Sequence, residues 1–233
     1  MSEQWAKPMA RLRTDELSAD APNINVNGRQ LTNPTHGFGQ MWQKTYRIPL
    51  GSWVVPADVI TAWRGNFGEF WPNGNDFHGS GAAVEAGQVA VLSLALPGGM
   101  RVITGVRVIF VDDESFSFMT PEGHMFAGMI TFSACAEDRQ TFAQVQALIR
   151  ASDPLYEIGC RVGVAHKMED KFWAETLRNV GRYFGVDSAE VAQTTTCVDS
   201  RVQWRAARNI WQNAAVRSAA QSPAAWLRRL VKG

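Results

Sequence analysis

The residues best suited to chemistry lie in the segment TPEGHMFAGMITF, residues 120–132, which contains His124, one of four histidines in the chain. An imidazole titrates near neutral pH, so His124 is a candidate general acid or base, or a hydrogen-bond partner for a ligand. Catalysis by histidine needs an orienting partner, and Glu122 is two residues away on the same side of an extended segment. Pro121-Glu122-Gly123 is also typical of a turn. We favour the interpretation that His124 borders a pocket at a turn, with catalysis as the alternative.

The other histidines and the cysteines form no recognisable metal or nucleophile motif. They are widely separated and lack CxxC or helical i, i+3 and i+4 spacing: His36, His78, His166, Cys135, Cys160 and Cys197. No Gly-x-Ser-x-Gly or Gly-Lys-Ser/Thr sequence is present. We therefore expect no metal, no cofactor and three reduced cysteines, and the balance of motifs favours a protein that is not an enzyme.

The spacing of apolar residues around His124 changes along the chain between the period of a strand and that of a helix. Apolar and polar residues alternate as in strands, or recur as in helices, over these segments: strand 40–50, helix 55–72, strands 87–96, 100–110, 114–120, 124–135 and 141–151, and helix 165–186. The segment 141–151 is also compatible with a helix. Because the breaks between the five later strands are short, we expect an antiparallel meander. A curved sheet on a long helix often encloses a cavity.

Composition sets the domain organisation. With 45% hydrophobic and 19% charged residues, the chain can bury a sizeable core. Residues 1–37 are rich in turn formers and predict a poorly packed lead-in, followed by a domain at 38–186 and a basic helical extension at 187–233. From residue 197 onward the chain carries seven basic residues and one acidic residue, although the net charge of the whole chain is only +1.

The order strand, helix, five antiparallel strands and long helix resembles the helix-grip (Bet v 1-like) fold of the START and polyketide-cyclase-like (SRPBCC) superfamily. Gly123-His124, three residues, Gly128 and then Phe132 are similar to the motif of a family of unknown function, DUF1990. That family carries acidic residues after the second glycine, where this chain has Met129 and Ile130, so no carboxylate role transfers. The resemblance covers residues 38–186 and implies an α+β fold, a curved antiparallel sheet wrapped on a long C-terminal helix, with a pocket for a small hydrophobic or amphipathic ligand.

Large apolar side chains on these elements are candidate pocket walls: Trp42, Trp63, Phe116, Phe118, Met129 and Trp173. Each alone is more often a core residue, but a concave sheet face must line something. His124, Glu122 and Arg101 are candidates for the polar end of a ligand. Alternation along 100–110 does not say which face is concave, so Arg101 is either an anchor or a solvated charge. Ligand binding is the leading hypothesis, and a cyclase, dehydratase or isomerase using His124 is the alternative.

The basic extension offers a third hypothesis. Helical patterns at 199–220 and 222–232 place Trp204, Trp211 and Trp226 near arginines, as in helices that bind an anionic membrane surface or a protein partner. For 199–220 we favour packing on the domain itself. No signal-peptide region or apolar run of about 18 residues occurs, which predicts a cytoplasmic protein. The small net charge and the lack of a recognised module predict no nucleic-acid binding.

Overall fold

The computed structural model describes residues 4–15, 17 and 21–220. In these residues nine strands form one sheet: β1 (Leu31–Thr32), β2 (Met41–Gly51), β3 (Asp76–His78), β4 (Val89–Ala95), β5 (Arg101–Val111), β6 (Ser115–Pro121), β7 (Phe126–Glu137), β8 (Gln140–Ala151) and β9 (Ala192–Asp199). The helices are α1 (Pro56–Gly65), α2 (Pro154–Arg161) and α3 (Val164–Tyr183). Short 3-10 segments lie at Pro34–His36, Phe67–Phe70, Pro97–Gly99 and Trp204–Gln212, and a last helical stretch covers 214–220.

All strand pairs are antiparallel. The order is β3-β4-β5-β6-β7-β8-β2-β9, and β1 pairs with the end of β6. Strands β4 to β8 are consecutive neighbours, which confirms the meander. The ambiguous segment 141–151 is strand β8, which pairs along its length with β7 because its odd-numbered apolar positions face the core.

The long helix α3 lies across the inner face of the curved sheet, as the sequence predicted. Tyr46 and Val145 of the sheet share one core with Leu177 and Val180 of α3. Helix α1 adds Trp63 to the same core. This α+β arrangement, a curved antiparallel sheet wrapped on a long helix, is the helix-grip fold.

The lead-in, predicted to be poorly packed, is largely exposed over its described residues before Ala21 but has a few buried side chains. Leu12 and Val26 are buried against Val89 and Val91 on the outer face of β4. Strand β4 is therefore covered on both faces, because its even-numbered residues face the inner core. At Gly105 a side chain would collide with Val26, so the lead-in packs closely on the sheet.

The extension is also not wholly helical. Residues 192–199 form the exposed edge strand β9 on β2, which β-branched threonines favour. Buried Arg150 then anchors the chain by donating to the carbonyls of Gly39 (2.5 Å) and Arg201 (2.7 Å) and to Asp199 Oδ2 (2.9 Å). The predicted helix 222–232 lies outside the described residues. No helix in the described part of the chain has the length and apolarity to cross a bilayer.

Candidate functional site

A cavity of about 770 Å³ lies between α3 and the inner face of β4 to β8. Its walls are mainly apolar and include the side chains of Leu92, Phe118, Ile130, Ala147, Ile149, Phe172 and Trp173. Exposed Met100, in the turn before β5, and exposed Lys171 of α3 also line it, so the cavity reaches solvent between these two elements. Ligand pockets typically have volumes of about 300–1,000 Å³.

Side-chain size explains why this part of the fold stays open. Inner-face positions of β7 and β8 pair as Phe132↔Val145 and, two residues on, as Ile130↔Ala147. We call the region of Trp63, Phe116 and Phe132 the filled end, because these rings pack together with centroids 4.8–6.0 Å apart. We call the region of Ile130 and Ala147 the cavity end.

His124 lies at the cavity end, in the turn between β6 and β7. Its backbone N–H donates to Pro121 O (3.1 Å), and its Nδ1 lies 3.1 Å from the Phe126 nitrogen and 3.0 Å from the Phe126 oxygen. Nδ1 is thus occupied in either tautomer, so Nε2 is the ring nitrogen left for the cavity that His124 lines. Burial lowers the pKa of His124 to about 4. This effect is larger than the opposite effect of the hydrogen bond to Phe126, so the ring is neutral at pH 7.

Gly123, the first glycine of the sequence motif, has a packing role. Its φ is +86°, and a Cβ there would lie 2.1 Å from the carbonyl oxygen of Gln212. The Gly123 oxygen also accepts from Ala214 N (2.9 Å). The turn that contains His124 therefore also packs directly against the C-terminal extension. The second glycine, Gly128, allows an equally close approach to the Leu148 carbonyl of β8.

The predicted apolar wall residues divide into two groups. Phe118 and Trp173 line the cavity, whereas Trp63 and Phe116 belong to the filled end. Trp42 lies beside the site, with its ring 5.2 Å from that of His166. Met129 is also among the lining residues, although strand alternation puts the Ile130 side chain, not that of Met129, on the inner face.

Two predicted polar residues lie away from the cavity. Glu122 is on the outer side of the turn, where its carboxylate accepts from Gln30 N (3.2 Å) and Gln212 Nε2 (3.3 Å) and joins the lead-in to the extension. Arg101 is an exposed outer-face residue paired with Asp76. Of the two interpretations left open for Arg101, a ligand anchor or a solvated charge, the structure supports the solvated charge. The correction for Arg101 arises because strand register, which local sequence does not fix, sets the concave face.

The sequence interpretation missed a charged group beside the cavity. Lys44 of β2 has only 1% of its side chain exposed, and its Nζ lies 2.9 Å from Glu169 Oε2 and 2.7 Å from Asp170 Oδ1. Tyr46 also donates to Asp170 Oδ1 (2.7 Å). Glu169 lines the cavity. The available signals were a lysine in the apolar parity of β2 and a glutamate four residues before Trp173 in the apolar stripe of α3.

The buried cysteine near this group is not a nucleophile. Burial and the nearby carboxylates Glu157 and Glu169 raise the pKa of the Cys160 thiol to about 12, so it stays protonated at pH 7. In the described part of the chain, no three His, Cys, Asp or Glu side chains are grouped as metal ligands. His124 and Glu169 are titratable side chains of the cavity wall that are mostly buried and close to its apolar residues.

The described part of the extension packs on its own domain, as favoured for residues 199–220. Buried Asn213 donates to Asp153 Oδ2 (2.8 Å), and Asn25 of the lead-in donates to the Ser218 hydroxyl (3.2 Å). Trp204 and Trp211 remain largely exposed.

Neither a family model nor a curated protein matches the sequence. The motif resemblance to DUF1990 therefore stays a prediction. Among solved structures, the chain is similar to the di-domain ARO/CYC StfQ from the steffimycin biosynthetic pathway, with 11% identity, a TM-score of 0.49, and coverage of 63% of this chain and 51% of that chain.

Two further similar structures are smaller proteins. Ara h 8.0201 is 12% identical with a TM-score of 0.43, covering 62% of this chain and 97% of that chain. Major latex-like protein 151 from Panax ginseng is 16% identical with a TM-score of 0.37, covering 57% and 99%. At these values the likeness carries no conclusion about family or function, and the fold assignment rests on the sheet order and α3.

Proposed function

We propose that the chain binds a small hydrophobic or amphipathic molecule in the cavity between α3 and the sheet. The observation that carries this proposal is a space of about 770 Å³ with mainly apolar walls and an opening to solvent. Burial of apolar ligand surface in such a site is favourable by about 25 cal/mol per Å². We also infer that the chain is a distant member of the SRPBCC superfamily, from the element order and the helix-grip architecture.

In this proposal the apolar body of the ligand contacts Phe118, Ile130 and Trp173. His124 Nε2 binds a polar group of the ligand. A neutral imidazole can donate or accept according to its tautomer, so His124 tolerates either kind of group. The cytoplasmic location and a membrane or protein partner for residues 199–233 stay predictions.

The test is titration of the protein with Nile red, a neutral apolar dye whose fluorescence rises in an apolar site. We expect saturable uptake of one dye per chain. Ala165→Trp adds a large ring to the cavity wall at the start of α3 and should weaken uptake at least about tenfold. The matched control is Lys167→Trp, which adds the same ring at an exposed position of the same helix.

Equal effects of the two tryptophan variants would mean that the dye binds elsewhere. Absence of saturable uptake by the unmodified protein would contradict the proposal. Circular dichroism and the urea midpoint of each variant establish that both have folded.

One observation favours a second candidate, an enzyme of cyclase, dehydratase or isomerase type. The neutral imidazole of His124 and the carboxylate of Glu169 line the same cavity and can both transfer protons. His124→Gln separates the two functions on any molecule that co-purifies with the protein. A binder loses only affinity, whereas an enzyme loses conversion of the bound molecule and retains binding.

A further inference from the structure

The polar part of the cavity wall carries an excess of negative charge. We define the Lys44 cluster as Lys44, Tyr46, Glu169 and Asp170. Lys44 is its one cation and faces two carboxylates, at 2.9 Å and 2.7 Å. Burial raises the pKa of Tyr46, and the neighbouring carboxylates raise it further, so the phenol stays neutral. The cluster therefore has a net charge of −1 when both carboxylates are ionised.

Asp170 is the satisfied carboxylate of the pair. Burial alone raises its pKa, but hydrogen bonds from Lys44, Tyr46 and Gln193 outweigh burial and lower the pKa below its usual value. Lys44 and Tyr46 both donate to the same oxygen, Oδ1, at 2.7 Å. Asp170 is therefore ionised, and it accepts the hydrogen bond that Lys44 Nζ donates.

Glu169 is the carboxylate of the pair with fewer hydrogen bonds to Lys44 and Tyr46. Its side chain is 8% exposed, and its Oε2 accepts a hydrogen bond from none of the described residues, although Lys44 Nζ lies 2.9 Å away without hydrogen-bond alignment. His166 Nδ1 is 4.0 Å away, too far for a hydrogen bond, and this buried atom has no hydrogen-bond partner in the part of the chain that the structure describes. Lys44, the nearest lysine or arginine to this carboxylate, is shared with Asp170, so a further positive charge beside Glu169 would be favourable.

Other charges near the cavity do not cancel this excess. Lys171 and Glu175 line its rim with opposite charges, and Lys171 is exposed. His124 is neutral at pH 7. The remaining walls are mainly apolar, so the field of Glu169 is poorly screened inside the cavity.

We propose that the preferred ligand is a hydrophobic amine, whose ammonium group binds the Glu169 carboxylate while its apolar body fills the cavity. This inference rests on the proposed ligand-binding function and names the chemical class of the ligand. An ammonium group brings three donors and one positive charge, which makes the cluster neutral and gives the Glu169 carboxylate a cation of its own. A carboxylate ligand would add a third negative charge beside one lysine and is disfavoured.

The experiment compares three probes with the same apolar body, n-octylamine, 1-octanol and octanoate, by displacement of Nile red at pH 7. We expect octylamine to bind at least about tenfold more tightly than octanol, because its positive charge forms an ion pair with the Glu169 carboxylate that a neutral hydroxyl cannot form. Octanoate should bind most weakly. Glu169→Gln should lower the affinity for octylamine and so abolish the preference for amine over alcohol.

Glu190→Gln is the matched control, because it removes a carboxylate at an exposed residue outside the cavity and should retain the preference. Lys44 keeps Asp170 as a partner in Glu169→Gln, which favours folding of that variant. If that variant does not fold, the three probes on the unmodified protein still test whether the cavity prefers an amine.

Equal affinity for amine and alcohol, or tighter binding of octanoate, would overturn the amine proposal while ligand binding stands. A preference for amine that survives Glu169→Gln would overturn the role of Glu169. Failure of Nile red and of all three probes to bind would overturn the proposed function itself.

Discussion

The filled end and the cavity end of the inner sheet face are built from the same strands but hold different contents. At the filled end, Phe116 and Phe132 stack with centroids 4.8 Å apart and Trp63 meets Phe132 edge-on at 5.4 Å. Two residues away on β7 and β8, Ile130 and Ala147 border an open space of about 770 Å³. The cavity therefore arises from side-chain size along continuous strands, with no change of topology.

Polar groups follow the same division. The filled end contains a buried Trp63 indole nitrogen that has no partner among the described residues, and it owes its stability to packing. The cavity end has a neutral histidine and, in Glu169, a carboxylate that shares Lys44 with Asp170. One end is suited to stability and the other to binding, and substitutions at the two ends should have different consequences.

The largest expected effect is at the filled end. Trp63→Ala should lower the free energy of unfolding by about 3–5 kcal/mol, because it removes a fully buried ring from a close-packed aromatic group. Met168→Ala, at the cavity end, should lower it by about 1 kcal/mol, because Met168 already borders open space. Urea denaturation measures both. Equal losses would contradict the division of the inner face.

The next effect is a pH dependence at the cavity end. The folded pKa of His124, about 4, lies below the ordinary value of 6.5, so the unfolded chain binds the extra proton between these two pH values. The contribution of neutral His124 to stability is complete above about pH 6.5 and falls as the pH decreases to 4, by about 3 kcal/mol in all.

Urea denaturation of the unmodified protein and of His124→Gln at pH 7, 6, 5 and 4 measures this contribution. The difference between their unfolding free energies should change over this pH range and be constant above it. A constant difference throughout would mean that the His124 ring is solvated and not part of a cavity wall.

A smaller effect is expected at the turn that positions His124. Gly87→Ala and Gly123→Ala place alanine at φ +92° and +86°, which should destabilise each protein by about 1 kcal/mol. At Gly123 the new Cβ also meets the Gln212 carbonyl, whereas no atom lies within 4 Å of a Cβ at Gly87. We expect a further loss of about 1–3 kcal/mol for Gly123→Ala.

Limited proteolysis with trypsin should then cleave Gly123→Ala faster after Arg205 and Arg208, because the extension no longer seats on the turn. Gly87→Ala should show the cleavage rate of the unmodified protein. Equal cleavage of the two variants would contradict the close seating of the extension at Gly123.

The smallest effect is expected at Arg101. Arg101→Ala removes an exposed ion pair with Asp76 on the outer face and should change the unfolding free energy by less than about 1 kcal/mol. Uptake of Nile red and the amine preference should be unchanged. A loss of affinity would mean that Arg101 contributes to ligand binding and would contradict its assignment to the outer face.

The parts of the fold that the sequence predicted are those with a strong local period. The alternation at 100–110 and the apolar stripe of α3 both report burial directly, because neighbouring side chains point to opposite faces or recur on one helix face. Strand β9 was missed because it lies exposed on a sheet edge, where threonine and glutamine show no apolar alternation. Burial of Leu12 and Val26 was missed because these residues pack against strands distant in sequence.

The candidate site was predicted in part for the same reason. The turn sequence around Gly123 drew attention to His124, but its contact with Gln212 joins residues 89 positions apart. Lys44 and Glu169 are 125 positions apart, so their pairing depends on how α3 lies across β2. Local patterns do not contain that information. They did place a lysine and a glutamate in apolar positions, which is a signal of buried pairing.

The central claim is that the cavity end holds an apolar ligand, and a crystal structure of the protein soaked with 1-bromooctane tests it most directly. The anomalous signal locates the bromine atom, and the account requires one strong peak between Ile130 and Trp173. Omit density should trace the alkyl chain along the cavity toward its opening near Met100. A structure with no peak there, in which Met168 or Phe172 fills the space beside Ala147, would contradict the account.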